Sequence, residues 1–159
     1  MLFRSLIARI AVLAGKSPVV WETDPDRRHG AIGYEVIDPK ADQKRYYKTI
    51  VDVSGDASLL DTLVLCLAPG GEIVLAGFYD APMTFSFPQA FMREARIRVA
   101  AQWQPKDLLA VKNLAESGRL TLDGLITHHA SPAQADQAYR QAFSDKDCLK
   151  MVLDWRTLQ

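Results

Sequence analysis

Three short apolar runs are each followed at once by residues able to touch a polar ligand. Val19-Val20-Trp21 is closed by Glu22, Thr49 to Val53 by Ser54-Gly55, and Ile73 to Ala76 by Gly77-Phe78. In an open parallel sheet ligands bind at the carboxyl ends of the strands, so these are the places where chemistry is expected. A carboxylate at Glu22 can accept hydrogen bonds from both hydroxyls of an adenosine ribose, which favours NAD over a cofactor carrying a phosphate there. Ser54 offers a hydroxyl, Gly55 and Gly77 a bare backbone, and Phe78 a flat ring. Each has a plainer reading by itself: an acid that closes a strand is often a solvated turn, and Ser-Gly is turn chemistry. Recurrence at three successive strand ends is what points to a nucleotide site. Arg27 and Arg28 stand close enough to Glu22 to reach a ribose phosphate or stack on adenine, although a solvated helix start would also carry them.

The remaining reactive side chains have weaker contexts. His128 and His129 are adjacent, so in a strand they face opposite ways and cannot share a metal or a proton. His29 lies beside two arginines, which disfavour its protonation. Cys66 sits among leucines as a small buried hydrophobe, and Asp52, just before the Ser-Gly turn, reads as a loop-fixing carboxylate. No Ser-His-Asp order or carboxylate pair has a supporting context, so no catalytic residue and no metal site is assigned.

The elements that must position these residues follow from periodicity. Leu2, Leu6, Ile10 and Leu13 recur at helical spacing, widened by Ile7 and Ala14, and predict an amphipathic helix. Val19–Trp21, Glu35–Ile37, Thr49–Val53 and Ile73–Ala76 read as buried strands. Asp56 caps a helix carrying Leu59, Leu60, Leu63, Val64 and Leu67, stopped by Pro69-Gly70-Gly71. Met83, Phe85 and Phe87 alternate with polar or small residues as an edge or interface strand would. Ile97–Ala101 is a further strand, Leu108–Leu114 a helix ended by Gly118, and Ile126–His128 extended. Ser131-Pro132 with Gln134 opens a helix toward Phe143, and Met151–Leu153 closes the chain. Strands alternating with helices imply right-handed crossovers and an α/β, Rossmann-like doubly wound, mainly parallel sheet.

One part of that fold is missing from the pattern. A dinucleotide-binding glycine turn is expected about 20 residues before the ribose carboxylate, which is the chain's own beginning. Met1 to Ser5 contain no glycine, and Gly15 lies at the far end of the first helix. The expectation is a single, truncated dinucleotide-binding domain over residues 1–159, lacking its first strand and glycine-rich turn.

Composition sets the outer bounds. The 159 residues carry 19 Lys and Arg against 19 Asp and Glu, and are 48% hydrophobic. A net charge of zero gives no field to recruit nucleic acid, and the hydrophobic fraction is that of an ordinary globular domain. Cys66 and Cys148 form no Cys-x-x-Cys, which argues for a reducing compartment, taken as the cytoplasm, and against a zinc module. Arg9 interrupts the first apolar stretch, so it lacks the unbroken block of a secretory signal or a membrane span.

The string from Thr49 to Gly77, with strand, Ser-Gly, helix, Pro-Gly-Gly, strand and Gly in that order, resembles the cofactor domain of the medium-chain dehydrogenase/reductase superfamily. The stretches Val19 to Arg28, Phe91 to Pro105 and Asp147 to Arg156 resemble its bacteriochlorophyllide a dehydrogenase family more closely, and the likeness runs from Leu6 onward. That resemblance implies oxidation of a hydroxyethyl group on the macrocycle to acetyl, with NAD taking the hydride. It places Glu22 on the adenosine ribose, Ser54 and Gly55 near the cofactor's riboses, Gly77, Phe78, Ala101 and Gln102 near the nicotinamide, and Lys150 of the closing strand on the pyrophosphate. Members carry an amino-terminal catalytic domain that is absent from this sequence, and with it the residues that activate the substrate hydroxyl. They pair as homodimers through the strand matching Arg96 to Ala101. Phe78, Trp103 and Trp155 could border a macrocycle, but core packing is expected for at least two of them. Two other readings stay open at this point: a non-catalytic remnant or interaction domain of the same fold, and the cofactor domain of a different medium-chain, polyol or alcohol, dehydrogenase.

Overall fold

A computed structural model describes residues 2–157. They form two compact units: one takes the chain up to Asp38 together with the stretch from Pro105 onward, the other is Pro39–Gln104. The first contains α1 (Leu2–Leu13), β1 (Val19–Trp21), β2 (Glu35–Ile37), α4 (Pro105–Glu116), β6 (His128–Ala130), α5 (Ala135–Ser144) and β7 (Met151–Leu153). The second contains β3 (Tyr47–Asp52), α2 (Leu60–Leu65), β4 (Leu67–Leu75), α3 (Phe87–Met92) and β5 (Arg96–Val99).

Every strand pair is parallel. β1 pairs with β2 from Val19 opposite Glu35 to Trp21 opposite Ile37. β4 lies between β3 and β5, with Asp52 opposite Leu75 and Leu75 opposite Val99. β6 pairs with β7. The strands are thus parallel, as the α/β reading requires, and they form three separate sheets, with the pairing broken between β1 and β3, where the expected missing strand would join them. Among the described residues β1 pairs with β2 alone and β3 with β4 alone. These are the pairings of a doubly wound order with its central strand left out.

The second unit is built on an apolar core. Leu60, Leu63 and Val64 of α2 bury against Leu67, Ile73, Val74 and Leu75 of β4. Two sequence expectations are corrected here. The helix after Asp56 is short: a 3-10 turn over Ala57–Leu59 leads into α2, which ends at Leu65, so that Leu67 already belongs to β4. Pro69-Gly70-Gly71 interrupts the strand and does not stop the helix. The register passes from Tyr47 opposite Leu67 to Thr49 opposite Glu72, and the excursion is tied down by Gly70 N–H to the Arg93 carbonyl and by the Arg93 guanidinium to the Leu67 carbonyl. The Met83–Phe87 alternation is not a strand either. Phe87 already opens α3, whose second residue is Pro88, and the Ser86 N–H is taken by the Asp61 carboxylate at 2.6 Å.

The first unit buries less. Its fully covered apolar residues are Ala8, Leu120, Leu125 and Ala138. α1 ends as glycine permits, with Gly15 at φ 71° donating to the Val12 carbonyl and Lys16 to that of Ala11. The face it buries is not the predicted leucine stripe. Ser5, Ala8 and Arg9 are buried, whereas Ile10 is exposed. Arg9 can be buried because its guanidinium donates to the carbonyls of Thr121 at 2.7 Å and Asp123 at 2.8 Å. α4 and α5 agree with the periodicity, Gly118 closing α4 at φ 70°, while the strand expected at Ile126–His128 runs over His128–Ala130.

Candidate functional site

Glu22 stands at the carboxyl end of β1, its N–H still continuing the ladder to the Ile37 carbonyl. The turn after it is stitched around its carboxylate. Oε1 accepts the Asp24 N–H at 3.0 Å, and Oε2 is ion-paired with Arg4 Nη1. Arg4 Nη2 donates to the Arg27 carbonyl at 2.9 Å, so one guanidinium from α1 clamps both ends of the turn. Both paired side chains are largely covered, at 14% and 13% exposure. Arg28 donates to the carbonyls of Glu22 and Thr23 and to Asp38 at 2.8 Å, while Arg27 Nε lies 3.2 Å from Asp24 Oδ2. Glu22 and Arg27 are therefore brought together, through a residue the sequence reading did not single out.

In the second unit, the turns after β3 and β4 close on one another. Asp52 is buried, accepting the Ser54 N–H on Oδ1 at 2.9 Å and the Tyr79 hydroxyl on Oδ2 at 2.8 Å. Its carbonyl accepts the Ala76 N–H. Gly55 adopts φ 77°, and a Cβ there would stand 2.8 Å from the Phe78 carbonyl oxygen; one on Gly77 would stand 2.8 Å from the Gly55 nitrogen. Only glycines permit this approach. The Ser54 hydroxyl accepts the Asp56 N–H, and Asp56 in turn caps the following 3-10 turn through Ser58, whose hydroxyl and N–H bonds hold the Asp56 carboxyl below its ordinary value. Burial, then the hydrogen bond to Asp52, pushes the Tyr79 phenol up to about 12. Asp52 fixes the loop as expected. Tyr79 was missed, though it lies two residues beyond Gly77.

Phe78 is fully exposed, as are 65% of Trp103 and 71% of Trp155, which corrects the expectation of core packing for two of these three. Ala100 N–H bonds the Leu75 carbonyl just past β5, so Ala101 and Gln102 emerge beyond the strand and are exposed. Lys150 is exposed at the entry to β7, its carbonyl accepting from Thr127 and His128. Of the expected ligand-binding positions, Ser54, Gly55, Gly77 and Phe78 meet in one cluster and Glu22 and Arg27 in another.

His128 bonds Thr127 and lies 3.4 Å from Asp145 Oδ2, a local pair on the surface of the first unit. Among the described residues no three His, Cys, Asp or Glu side chains converge as for a metal ion, and no helix is long and apolar enough to cross a membrane.

No protein-family model matches the chain. It is 59% identical over 152 residues to 2-desacetyl-2-hydroxyethyl bacteriochlorophyllide A dehydrogenase of Cereibacter sphaeroides, covering 95% of this chain and 48% of the relative. The protein of that name from Rhodobacter capsulatus is 58% identical over the same shares. The chain thus spans about half the length of the curated relatives it matches. Among solved structures, an alcohol dehydrogenase from Escherichia coli CFT073 complexed with NADH superposes with a TM-score of 0.80 at 20% identity, over 97% of this chain and 49% of that one. The fold is that of alcohol dehydrogenases. Over the region it shares with these relatives, about half of their length, the chain is similar to the bacteriochlorophyllide A dehydrogenases.

Proposed function

We propose that this chain is the cofactor-binding part of an NAD-dependent dehydrogenase that oxidises the hydroxyethyl group of a bacteriochlorophyllide to acetyl in bacteriochlorophyll synthesis. The observation that carries the reading is the 59% identity to a dehydrogenase of that name, with an acidic residue at a β1 end and two glycine turns at the ends of β3 and β4. The residues present suit a dinucleotide. Glu22 offers carboxylate acceptors to the adenosine ribose, and the Ser54-Gly55 and Gly77-Phe78 turns offer bare backbone and an exposed ring for the remainder. NAD, when bound, supplies the hydride acceptor. This chain's own residues bind and orient it: Glu22 holds the ribose, Asp52 and Tyr79 keep the two glycine turns in register, Gln102 follows the carboxyl end of β5, and Lys150, at the entry to β7, offers a cation for the pyrophosphate. The residues acting on the substrate hydroxyl would lie in the part of the relatives' length that this chain does not span.

The same reading includes a cytoplasmic homodimer. β5 pairs with β4 alone among the described residues, and its four residues are all exposed. Beside it runs an apolar groove lined by Phe85, Phe87, Phe91, Met92 and Ile97. An exposed strand edge beside such a groove is a surface suited to a second copy.

Calorimetric titration of NAD into the chain tests the cofactor assignment, with Glu22→Gln as the diagnostic variant. Binding that weakens in the variant is expected; NAD affinity indifferent to Glu22 would overturn it. The activity is tested by joining the chain to the remaining half of a curated relative and following NADH formation from the hydroxyethyl pigment.

A further inference from the structure

We infer that Arg4 sets how strongly this site discriminates between NAD and NADP, an inference that rests on the dinucleotide reading above. A lone carboxylate at a ribose subsite rejects a 2′-phosphate by charge repulsion in a poorly solvated place. Glu22 is not alone. Arg4 reaches it from α1 and is held there by two acceptors, the Glu22 carboxylate and the Arg27 carbonyl. The pair is largely covered, so its charges compensate each other where solvent screening is weak.

The Glu22 carboxylate keeps acceptor positions for ribose hydroxyls. A carboxylate has about four acceptor positions, of which the Asp24 N–H and Arg4 use one each. Hydroxyls can take the others without displacing Arg4, which keeps a guanidinium beside the 2′ position. A phosphate there would meet a cation as well as an anion, and a guanidinium suits phosphate oxygens better than an ammonium does. The arginines that follow Glu22 in sequence do not fill this role: Arg28 is engaged with Asp38 and two carbonyls, and Arg27 with Asp24. Arg4 is a specificity-determining residue, which Glu22 read from its strand-end position alone does not reveal.

The test is titration of NAD and of NADP, separately, into the wild-type chain and its Arg4→Gln, Arg4→Lys and Glu22→Gln variants. Arg4→Gln keeps a donor for Glu22 without the charge, and should raise the preference for NAD by about tenfold or more, mainly by weakening NADP. Arg4→Lys, which keeps the charge, should stay nearer to wild type. Equal weakening of both cofactors in Arg4→Gln, or an unchanged ratio, overturns the inference and leaves the dinucleotide reading intact. Wild-type chain that binds neither cofactor, or NAD binding untouched by Glu22→Gln, overturns the reading itself and the inference with it. Thermal melts of each variant establish that folded protein is compared, and Arg4→Lys decides if Arg4→Gln does not fold: NADP lost in Arg4→Lys while NAD is retained would overturn the charge origin.

Discussion

Tyr79 donates its hydroxyl to the Asp52 carboxylate at 2.8 Å, joining the residue that ends β3 to the segment that leaves β4. Asp52 already holds the Ser54 N–H. One buried carboxylate therefore spaces both glycine turns, and the tyrosine closes the second turn over the first.

Tyr79→Phe removes that donor and leaves a buried carboxylate oxygen short of a partner, at a cost of about 1–3 kcal/mol. The loss depends on pH with a definite sign. The folded phenol titrates at about 12, above its ordinary value of 10.0, so its contribution is complete below the unfolded value and is lost as pH rises from there through the folded one. Melting curves of wild type and Tyr79→Phe should differ by a constant amount at neutral pH and converge in alkali over that window. A gap that persists through it would show that the hydroxyl's ionisation is not coupled to folding.

Gly55→Ala and Gly70→Ala separate two costs of a side chain at positive φ. Gly70 stands at φ 70° with nothing within 4 Å of an added Cβ, so alanine there meets only backbone strain, about 1–2 kcal/mol. Gly55, at φ 77°, adds a 2.8 Å clash with the Phe78 carbonyl, which is backbone and cannot rotate aside. Denaturant unfolding should rank Gly55→Ala as the more damaging. Equal effects would mean the two turns are free to part.

Local periodicity located β1, β2, β7 and most of α4 because each is signalled by neighbours in sequence. It could not tell that Pro69-Gly70-Gly71 is an excursion inside β4, since that depends on pairing with β3 across the register shift. The alternation from Met83 to Phe87 counted side chains and could not show that the Ser86 N–H is taken by Asp61, 25 residues away. The candidate site divides along the same line. Glu22, Ser54, Gly55 and Gly77 were legible from their places after apolar runs. Arg4 was not, because its partner is 18 residues away and belongs to another element.

Arg9 shows the same limit at greater range. Its hydrogen-bond partners are 112 and 114 residues distant, and in sequence it marks only an interruption of an apolar stretch. Arg9→Met should destabilise the protein by several kcal/mol, because two bonds from a charged donor are worth about 1.5–3 kcal/mol each. Arg9→Lys, with a single ammonium, should recover part of that. Proteolysis near Thr121 to Asp123 should quicken in both variants. A methionine variant as stable as wild type would mean that water satisfies those carbonyls equally well.

The exposed edge of β5 carries the last prediction. Ala100 donates its N–H to the Leu75 carbonyl, and backbone groups alternate sides along a strand, so Ile97 and Val99 turn theirs away from β4. Val99 is also 74% exposed. A proline at 99 would remove an outward donor while leaving the β4 ladder in place. If a second copy pairs along this edge, the wild-type chain should sediment as a dimer at micromolar concentration, and Val99→Pro should sediment as a monomer with an unchanged thermal midpoint at high dilution. Ile97→Glu probes the groove beside the strand in the same experiment, because a carboxylate facing its symmetry mate across a two-fold axis would be repelled. Wild type that stays monomeric, or a dimer that both variants preserve, would remove β5 as the pairing edge and leave the exposed phenylalanines of α3 without that explanation.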